Sequence, residues 1–199
     1  MWQIMVALTG SYLLGSIPTA YVLVRWVKRI DVRAVGSGNV GATNAARAAG
    51  PGIGIIVFLI DALKGAIAIL VFSQCLPSWS AARLICGLAA VIGHNFPVFL
   101  KFRGGKGVAT TIGVLLAAMP PVAAVCLLIW LCIFLVSRYV SFASLAAAVS
   151  LPILQILGRQ SSAERIIGAI LVVLIIARHH GNIQRLLQGK EHRIGSARH

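Results

Sequence analysis

This sequence predicts an all-α polytopic membrane protein, with about seven transmembrane helices or five as the alternative. Three observations predict it. Hydrophobic residues are 59% of the 199, charged residues only 11%, and the mean hydropathy is +0.93. A soluble domain carries about 25% charged residues, so a 21.0 kDa globule of this composition could not cover its surface. Long uncharged runs recur along the chain. The charge is also one-sided. Eighteen Lys and Arg face 4 Asp and Glu, giving +14, and the cations lie between the apolar runs. In that position they report membrane orientation rather than nucleic-acid binding.

The elements follow in order. A spanning helix needs about 20 apolar residues at about 1.5 Å each. Met1 to Val24 carries no charge and no basic stretch precedes it, so it reads as a retained first span with the N-terminus outside. Pro51 to Gln74 forms the second segment, interrupted by Asp61 and Lys64, which stand one helical turn apart and can neutralise each other. Leu84 to Leu100 forms the third. Residues 107–137 are uncharged, and as one helix they would span about 46 Å, too long for a core of about 30 Å. Pro120-Pro121 offers a break into a short helix and a full one. Residues 139–158 form the next run. The last, 166–177, has only twelve residues and either begins earlier, near Ala163, or is a short buried helix.

Five or seven spans put the loops at 25–50 and 101–106 on the same side as the C-terminal tail. With seven, Arg25, Lys28, Arg29, Arg33, Arg47, Lys101, Arg103, Lys106, Arg138, Arg178, Arg185, Lys190, Arg193 and Arg198 face the cytoplasm, against Arg83, Arg159 and Arg165 outside. The positive-inside rule favours this orientation, and the double proline favours seven. No internal repeat is evident, and residues 1–199 read as a single transmembrane domain.

The remaining composition narrows the chemistry. Cys75, Cys86, Cys126 and Cys132 form no CxxC pair and read as small buried hydrophobes, with no metal site and no disulfide framework. Asp31, Asp61, Glu164 and Glu191 are the only acids, and no DxxD cluster exists to hold catalytic magnesium. This argues against transfer of nucleotide-activated phosphoalcohols.

Three polar motifs interrupt the apolar pattern. The first loop reads Gly36-Ser37-Gly38-Asn39-Val40-Gly41-Ala42-Thr43-Asn44, then Arg47. Glycines permit close backbone approach, successive N–H groups can form an anion nest, and Arg47 adds a forked cation. Ser37, Asn39, Thr43 and Asn44 add hydrogen bonds. The second loop runs Lys101-Phe102-Arg103-Gly104-Gly105-Lys106-Gly107 into a helix, whose positive end favours phosphate. The Walker A spacing is absent, so phosphate binding is expected without nucleotide hydrolysis. A positive-inside anchor would explain the cations but not the glycines. Upstream, Gly93-His94-Asn95 offers His94 as an ordering group for this loop. The tail reads Arg178-His179-His180-Gly181-Asn182, which puts His179 and Asn182 on one helix face. An interfacial basic helix is the plainer reading of that tail. Ser141 and Ser144 supply a further polar turn on the same side.

Together these loops resemble the PlsY family, the bacterial acyl-phosphate:glycerol-3-phosphate acyltransferases. The matching residues are Gly36-Ser37-Gly38-Asn39, Gly41-Ala42-Thr43-Asn44 and Arg47; Gly93-His94 through Gly104-Gly105-Lys106-Gly107-Val108-Ala109-Thr110; and His179, Asn182-Ile183, Arg185-Leu186, Gly189 and Glu191. The resemblance extends in order over nearly the whole chain. It implies a seven-span inner-membrane enzyme with a cytoplasmic active site and no cofactor. Such an enzyme moves a fatty acyl group from acyl phosphate to the 1-hydroxyl of sn-glycerol 3-phosphate, giving lysophosphatidic acid and phosphate. It implies catalytic roles for Ser37, Arg47, His179 and Asn182. It implies glycerol-phosphate binding by Gly104, Gly105, Lys106 and Gly107, and the residues' own chemistry adds Gly36, Gly38, Asn39, Thr43, Asn44 and Ser141 as expected substrate or phosphate contacts. His94 and Glu191 would give structural support. The expected partners are the two substrates, the bilayer and the enzyme that forms acyl phosphate, with no nucleic acid.

The residues themselves fit two phosphate-bearing substrates on one membrane face. The HxxxxD motif of the other large glycerol-phosphate acyltransferase class is absent: Phe99, Gln184 and Arg185 stand five residues after His94, His179 and His180. The general base is left open between His179 and a substrate phosphate. A transporter of phosphorylated metabolites is the alternative from another class, but its polar site would lie near the midplane.

Overall fold

The computed structural model describes residues 2–76 and 82–195, and divides after Ala118 into two compact units. Regular structure among the described residues is helical throughout.

The first unit contains α1 (Trp2–Ser16), α2 (Thr19–Lys28), α3 (Ala42–Ala49), α4 (Pro51–Leu70), α5 (Ala82–Asn95) and α6 (Val108–Ala118). The first apolar segment is not one helix to Val24. It breaks at Ile17-Pro18, because proline lacks the N–H and crowds the turn before it. The chain resumes as α2, which continues past Val24 and carries Arg25 and Lys28 in its last turn, where cations suit the helix dipole.

Glycines set the closest helix contacts. A Cβ at Gly15 would strike the Ala90 carbonyl and one at Gly93 the Tyr12 carbonyl, so α1 and α5 meet backbone to backbone. Gly65 against Thr110 and Gly113 against Ala62 do the same for α4 and α6. Small residues at such crossings gain dispersion contact that larger side chains would block.

A buried polar knot lies where α1 breaks. Lys64 Nζ is 2.8 Å from Asp61 Oδ1 and donates to the Ile17 carbonyl at 2.9 Å. Thr19 Oγ1 donates to Asp61 Oδ1 at 2.9 Å. The expected Asp61–Lys64 neutralisation is therefore present, and Lys64 shares with Thr19 N–H, at 3.0 Å, a carbonyl that the break removes from the helix ladder.

The second unit contains α7 (Pro120–Ser137), α8 (Val140–Leu157), α9 (Ser162–Arg178) and α10 (His180–Leu187). The double proline opens α7, as its local chemistry requires. Trp130 of α7 donates to Ser144 Oγ of α8 at 3.1 Å. Gln155 of α8 is fully buried and donates to the Glu164 carbonyl at 3.0 Å; a Cβ at Gly168 would strike its amide. A capping box starts α9: Ser161 Oγ accepts from Glu164 N–H, and Glu164 accepts from Ser161 N–H at 2.8 Å. This cap starts the helix at Ser162, one residue from the expected extension to Ala163.

Among the described residues, five segments are long and apolar enough to cross a membrane: Trp2–Lys28, Pro51–Cys75, Ala82–Leu100, Pro120–Ser137 and Val140–Leu157. Helices α9 and α10, bent by 59°, make a sixth as a pair. Helix α6, the shorter product of the proline break, has 11 residues, or about 16 Å, half of a bilayer core. Cys86 and Cys126 are buried as expected, whereas Cys75 and Cys132 are exposed. Of the tail cations, Arg198 lies outside the described residues.

Candidate functional site

The first Gly-rich loop is shaped by one buried amide. Asn44, in the first turn of α3, is 1% exposed. Its Oδ1 accepts from Ser37 N–H at 2.9 Å, and its Nδ2 donates to the carbonyls of Val32 at 2.8 Å and Val35 at 3.0 Å. Gly36 has φ +60°, and a Cβ there would collide with Asn44 Oδ1 and lie 3.6 Å from Arg47 Cδ. Gly38 has φ +69°. The turn thus holds Gly36, Ser37, Asn44 and the stem of Arg47 together, with Ser37 exposed and Arg47 half-buried. Asn39 and Thr43 are half-buried at the same turn. Before it, Arg33 pairs with Asp31 at 2.7 Å and lies 5.0 Å over the Tyr21 ring. That hydrogen-bonded guanidinium lowers the Asp31 carboxyl to about 2.

The second loop closes on the end of α5. Gly104 N–H donates to the Asn95 carbonyl at 3.2 Å and Gly105 N–H to the His94 carbonyl at 3.0 Å. Cβ atoms at these glycines would strike the His94 carbonyl and the His94 ring. The first two glycine amides of this loop therefore fold the loop itself. Lys106 is half-buried, and the first turn of α6 follows Gly107 at φ +80°. Lys101 and Phe102 also adopt left-handed backbone at the loop tip, at φ +52° and +61°. Such residues cost of order 1–3 kcal/mol each. His94 sits between this loop and the polar knot, with Nδ1 3.7 Å from Asp61 Oδ1 and Nε2 toward Gly105.

The third cluster lies in the second unit. Glu191 receives three side chains: Asn182 Nδ2 at 2.6 Å, Ser141 Oγ at 2.9 Å and Arg185 Nε at 2.8 Å. Burial works against its charge, but those hydrogen bonds prevail and hold the carboxyl below its ordinary value. Backbone adds a strap, since Ile194 N–H donates to the Arg138 carbonyl at 3.0 Å. His179 stands at the bend between α9 and α10, 2% exposed, with Nδ1 2.8 Å from the Ile175 carbonyl. A carbonyl only accepts, so Nδ1 carries the hydrogen, and the neutral ring has its lone pair on Nε2.

The structure therefore gathers the expected residues into three clusters: Gly36, Ser37, Asn44 and Arg47; His94, Gly104 and Gly105; and Ser141, Asn182 and Glu191. Sequence reasoning assigned no role to Asn95, which is fully buried, with neither amide atom hydrogen-bonded among the described residues. Its position directly before the second Gly-rich loop was the available signal. It also missed Thr19 and the Ile17 carbonyl as partners of the Asp61–Lys64 pair, because neither has a local pattern linking it to α4.

Fold and site define a polytopic helical membrane protein that presents Gly-rich, cation-bearing loops. Residues 5–189 match the family model described as Glycerol-3-phosphate acyltransferase. Similar proteins of that description occur in Aquifex aeolicus, 46% identical over 183 residues (92% of this chain and 95% of the relative), and in Myxococcus xanthus, 43% identical over 183 residues (92% and 95%). The fold is similar to crystal structures of PlsY (YgiH), an integral membrane glycerol 3-phosphate acyltransferase. The glycerol 3-phosphate form gives a TM-score of 0.92 at 44% identity, covering 96% of both chains. The lysophosphatidic acid form gives 0.87 at 43%, covering 96% of this chain and 95% of that one. The chain belongs to the glycerol-3-phosphate acyltransferase family.

Proposed function

We infer that this protein transfers a fatty acyl group to the 1-hydroxyl of sn-glycerol 3-phosphate, giving lysophosphatidic acid, with acyl phosphate as the donor. The observation that carries this reading is the match over 96% of the chain to an enzyme solved in both its acceptor and product forms. The loops supply the chemistry to go with it. Absence of an HxxxxD motif supports acyl phosphate over a thioester donor.

The acceptor hydroxyl oxygen attacks the acyl carbonyl carbon. An ester C–O bond forms, the C–O bond to the donor phosphate breaks, and phosphate leaves with the electron pair. The hydroxyl proton passes to His179 Nε2 or to a substrate phosphate. A mixed anhydride is already activated, so the protein's task is positioning and charge neutralisation. Arg47 and Lys106 neutralise phosphate charge, Ser37 and Asn39 orient the carbonyl or donor phosphate, and Asn182 orients the acceptor. Gly36, Gly38, Thr43, Gly104, Gly105, Gly107 and Ser141 shape the binding surfaces.

Seven passes in the inner membrane are proposed, counting α6 as a short one, with the N-terminus outside and the three motifs cytoplasmic. The distribution of cations supports this. The whole chain then acts as one domain, coupled to the enzyme that forms its donor. Transport of a phosphorylated metabolite is the competing reading. Purified protein reconstituted in vesicles with acyl phosphate and radiolabelled glycerol 3-phosphate separates the two. Label should enter the lipid extract as lysophosphatidate. Label trapped in the lumen as unchanged glycerol 3-phosphate, with none in lipid, would overturn the acyltransferase reading.

A further inference from the structure

Asn44 lies in a loop expected to touch phosphate, yet its side chain has little left to offer a ligand. An Asn amide has two N–H donors and one carbonyl acceptor. Both donors go to backbone carbonyls, Val32 and Val35, and the acceptor takes Ser37 N–H. At 1% exposure the group is sealed beneath the turn, while Ser37 is exposed above it. Ser37 is flanked by two glycines at positive φ, the residues with the weakest backbone preference of their own. The conformation that presents the Ser37 hydroxyl is thus set from below. We infer that Asn44 is a positioning residue of the transfer reaction, acting through Ser37, and not a substrate ligand. This rests on the acyltransferase reading above.

The mechanism is geometric. Asn44 ties the 3-10 turn at Val32–Ala34, the residue after Gly36 and the first turn of α3 into one unit. Without it, Ser37 N–H and the Val32 carbonyl lose this partner, and the Gly-flanked turn is held only by Gly38 N–H donating to the Val35 carbonyl at 3.1 Å. A displacement of about 1 Å at a reacting group can cost about 10²-fold in rate.

A double-mutant cycle tests the inference. Initial rates are measured for the full-length wild type, Asn44→Ala, Ser37→Ala and the double variant, each checked for a monodisperse folded peak by size exclusion in detergent. Asn44→Ala should lose about 10²-fold in kcat and Ser37→Ala about 10²–10³-fold. The double variant should lose no more than Ser37→Ala alone. A variant that merely lowers the folded fraction would multiply with Ser37→Ala, so non-additivity isolates positioning. Should Asn44→Ala fail to fold, Gly36→Ala takes its place in the cycle, since its Cβ presses on Asn44 Oδ1 from the other side. Losses that multiply, or full activity in the Asn44 variant, would overturn the inference. A wild type that transfers no acyl group would instead overturn the acyltransferase reading itself.

Discussion

Each of the four carboxylates is engaged by a neighbour: Asp31 by Arg33, Asp61 by Lys64 and Thr19, Glu164 by the α9 cap, and Glu191 by Ser141, Asn182 and Arg185. Glu191 has the most to lose on protonation. Its carboxyl is held below the ordinary 4.5, so its contribution to stability is complete above that value and is lost as pH falls through the lowered one. Melting in detergent from pH 7 to pH 3 should show wild type above Glu191→Gln at neutral pH, with the gap closing as pH drops below about 4.5. A gap that stays constant or widens on acidification would contradict the hub. Ser37 stands in a turn whose neighbouring acid, Asp31, is already paired, which favours direct transfer over an acyl-Ser37 intermediate. Ser37→Ala should then retain activity at about 10⁻²–10⁻³ of wild type, and denaturing mass spectrometry after mixing wild type with acyl phosphate alone should find no acyl adduct. A kinetically competent adduct on Ser37 would reverse that choice.

At the scale of elements, the break between α1 and α2 depends on a residue far away in sequence. Lys64 caps the Ile17 carbonyl across 47 positions while neutralising Asp61. Lys64→Met leaves a buried carboxylate and a carbonyl without this partner, and should cost about 3–5 kcal/mol, lowering melting temperature and folded yield. Asp61→Leu combined with Lys64→Met should restore much of that loss, because two apolar groups leave no uncompensated charge. A double variant less stable than Lys64→Met would refute this account of the pair. The same elements show what the sequence can carry. Pro120-Pro121 was legible as a break because the residues that make it are adjacent. The α9 start was legible near Ala163, one residue from its observed place at Ser162, whereas the α1 break, which depends on a single proline inside an uncharged stretch, was not. The Gly-rich loops were visible as motifs, but Asn44's three partners and the closure of Gly104 and Gly105 onto α5 arise only in three dimensions.

At the scale of the whole molecule, the cation pattern predicts one face. Single cysteines at Arg103 and Lys190, in a background without native cysteines, should resist a membrane-impermeant thiol reagent in intact cells and react after permeabilisation. A cysteine at Arg159 should react without it. Efficient outside labelling at Arg103 or Lys190 would contradict the proposed orientation. Helix α6 has only 11 residues, so the count of seven passes depends on that short segment. Without it, six passes would put the C-terminal tail on the face opposite the loops at 25–50 and 101–106, so labelling at Lys190 also tests whether α6 crosses.

The choice of donor defines the reaction. Purified wild-type protein is supplied with glycerol 3-phosphate and, in separate reactions, acyl phosphate, acyl-CoA or acyl-ACP of one chain length. Lysophosphatidate and inorganic phosphate are quantified together. Acyl phosphate should give the two products in equal amounts, and the thioesters should give neither. Lysophosphatidate formed from a thioester at a comparable rate, or no product from acyl phosphate, would contradict the account.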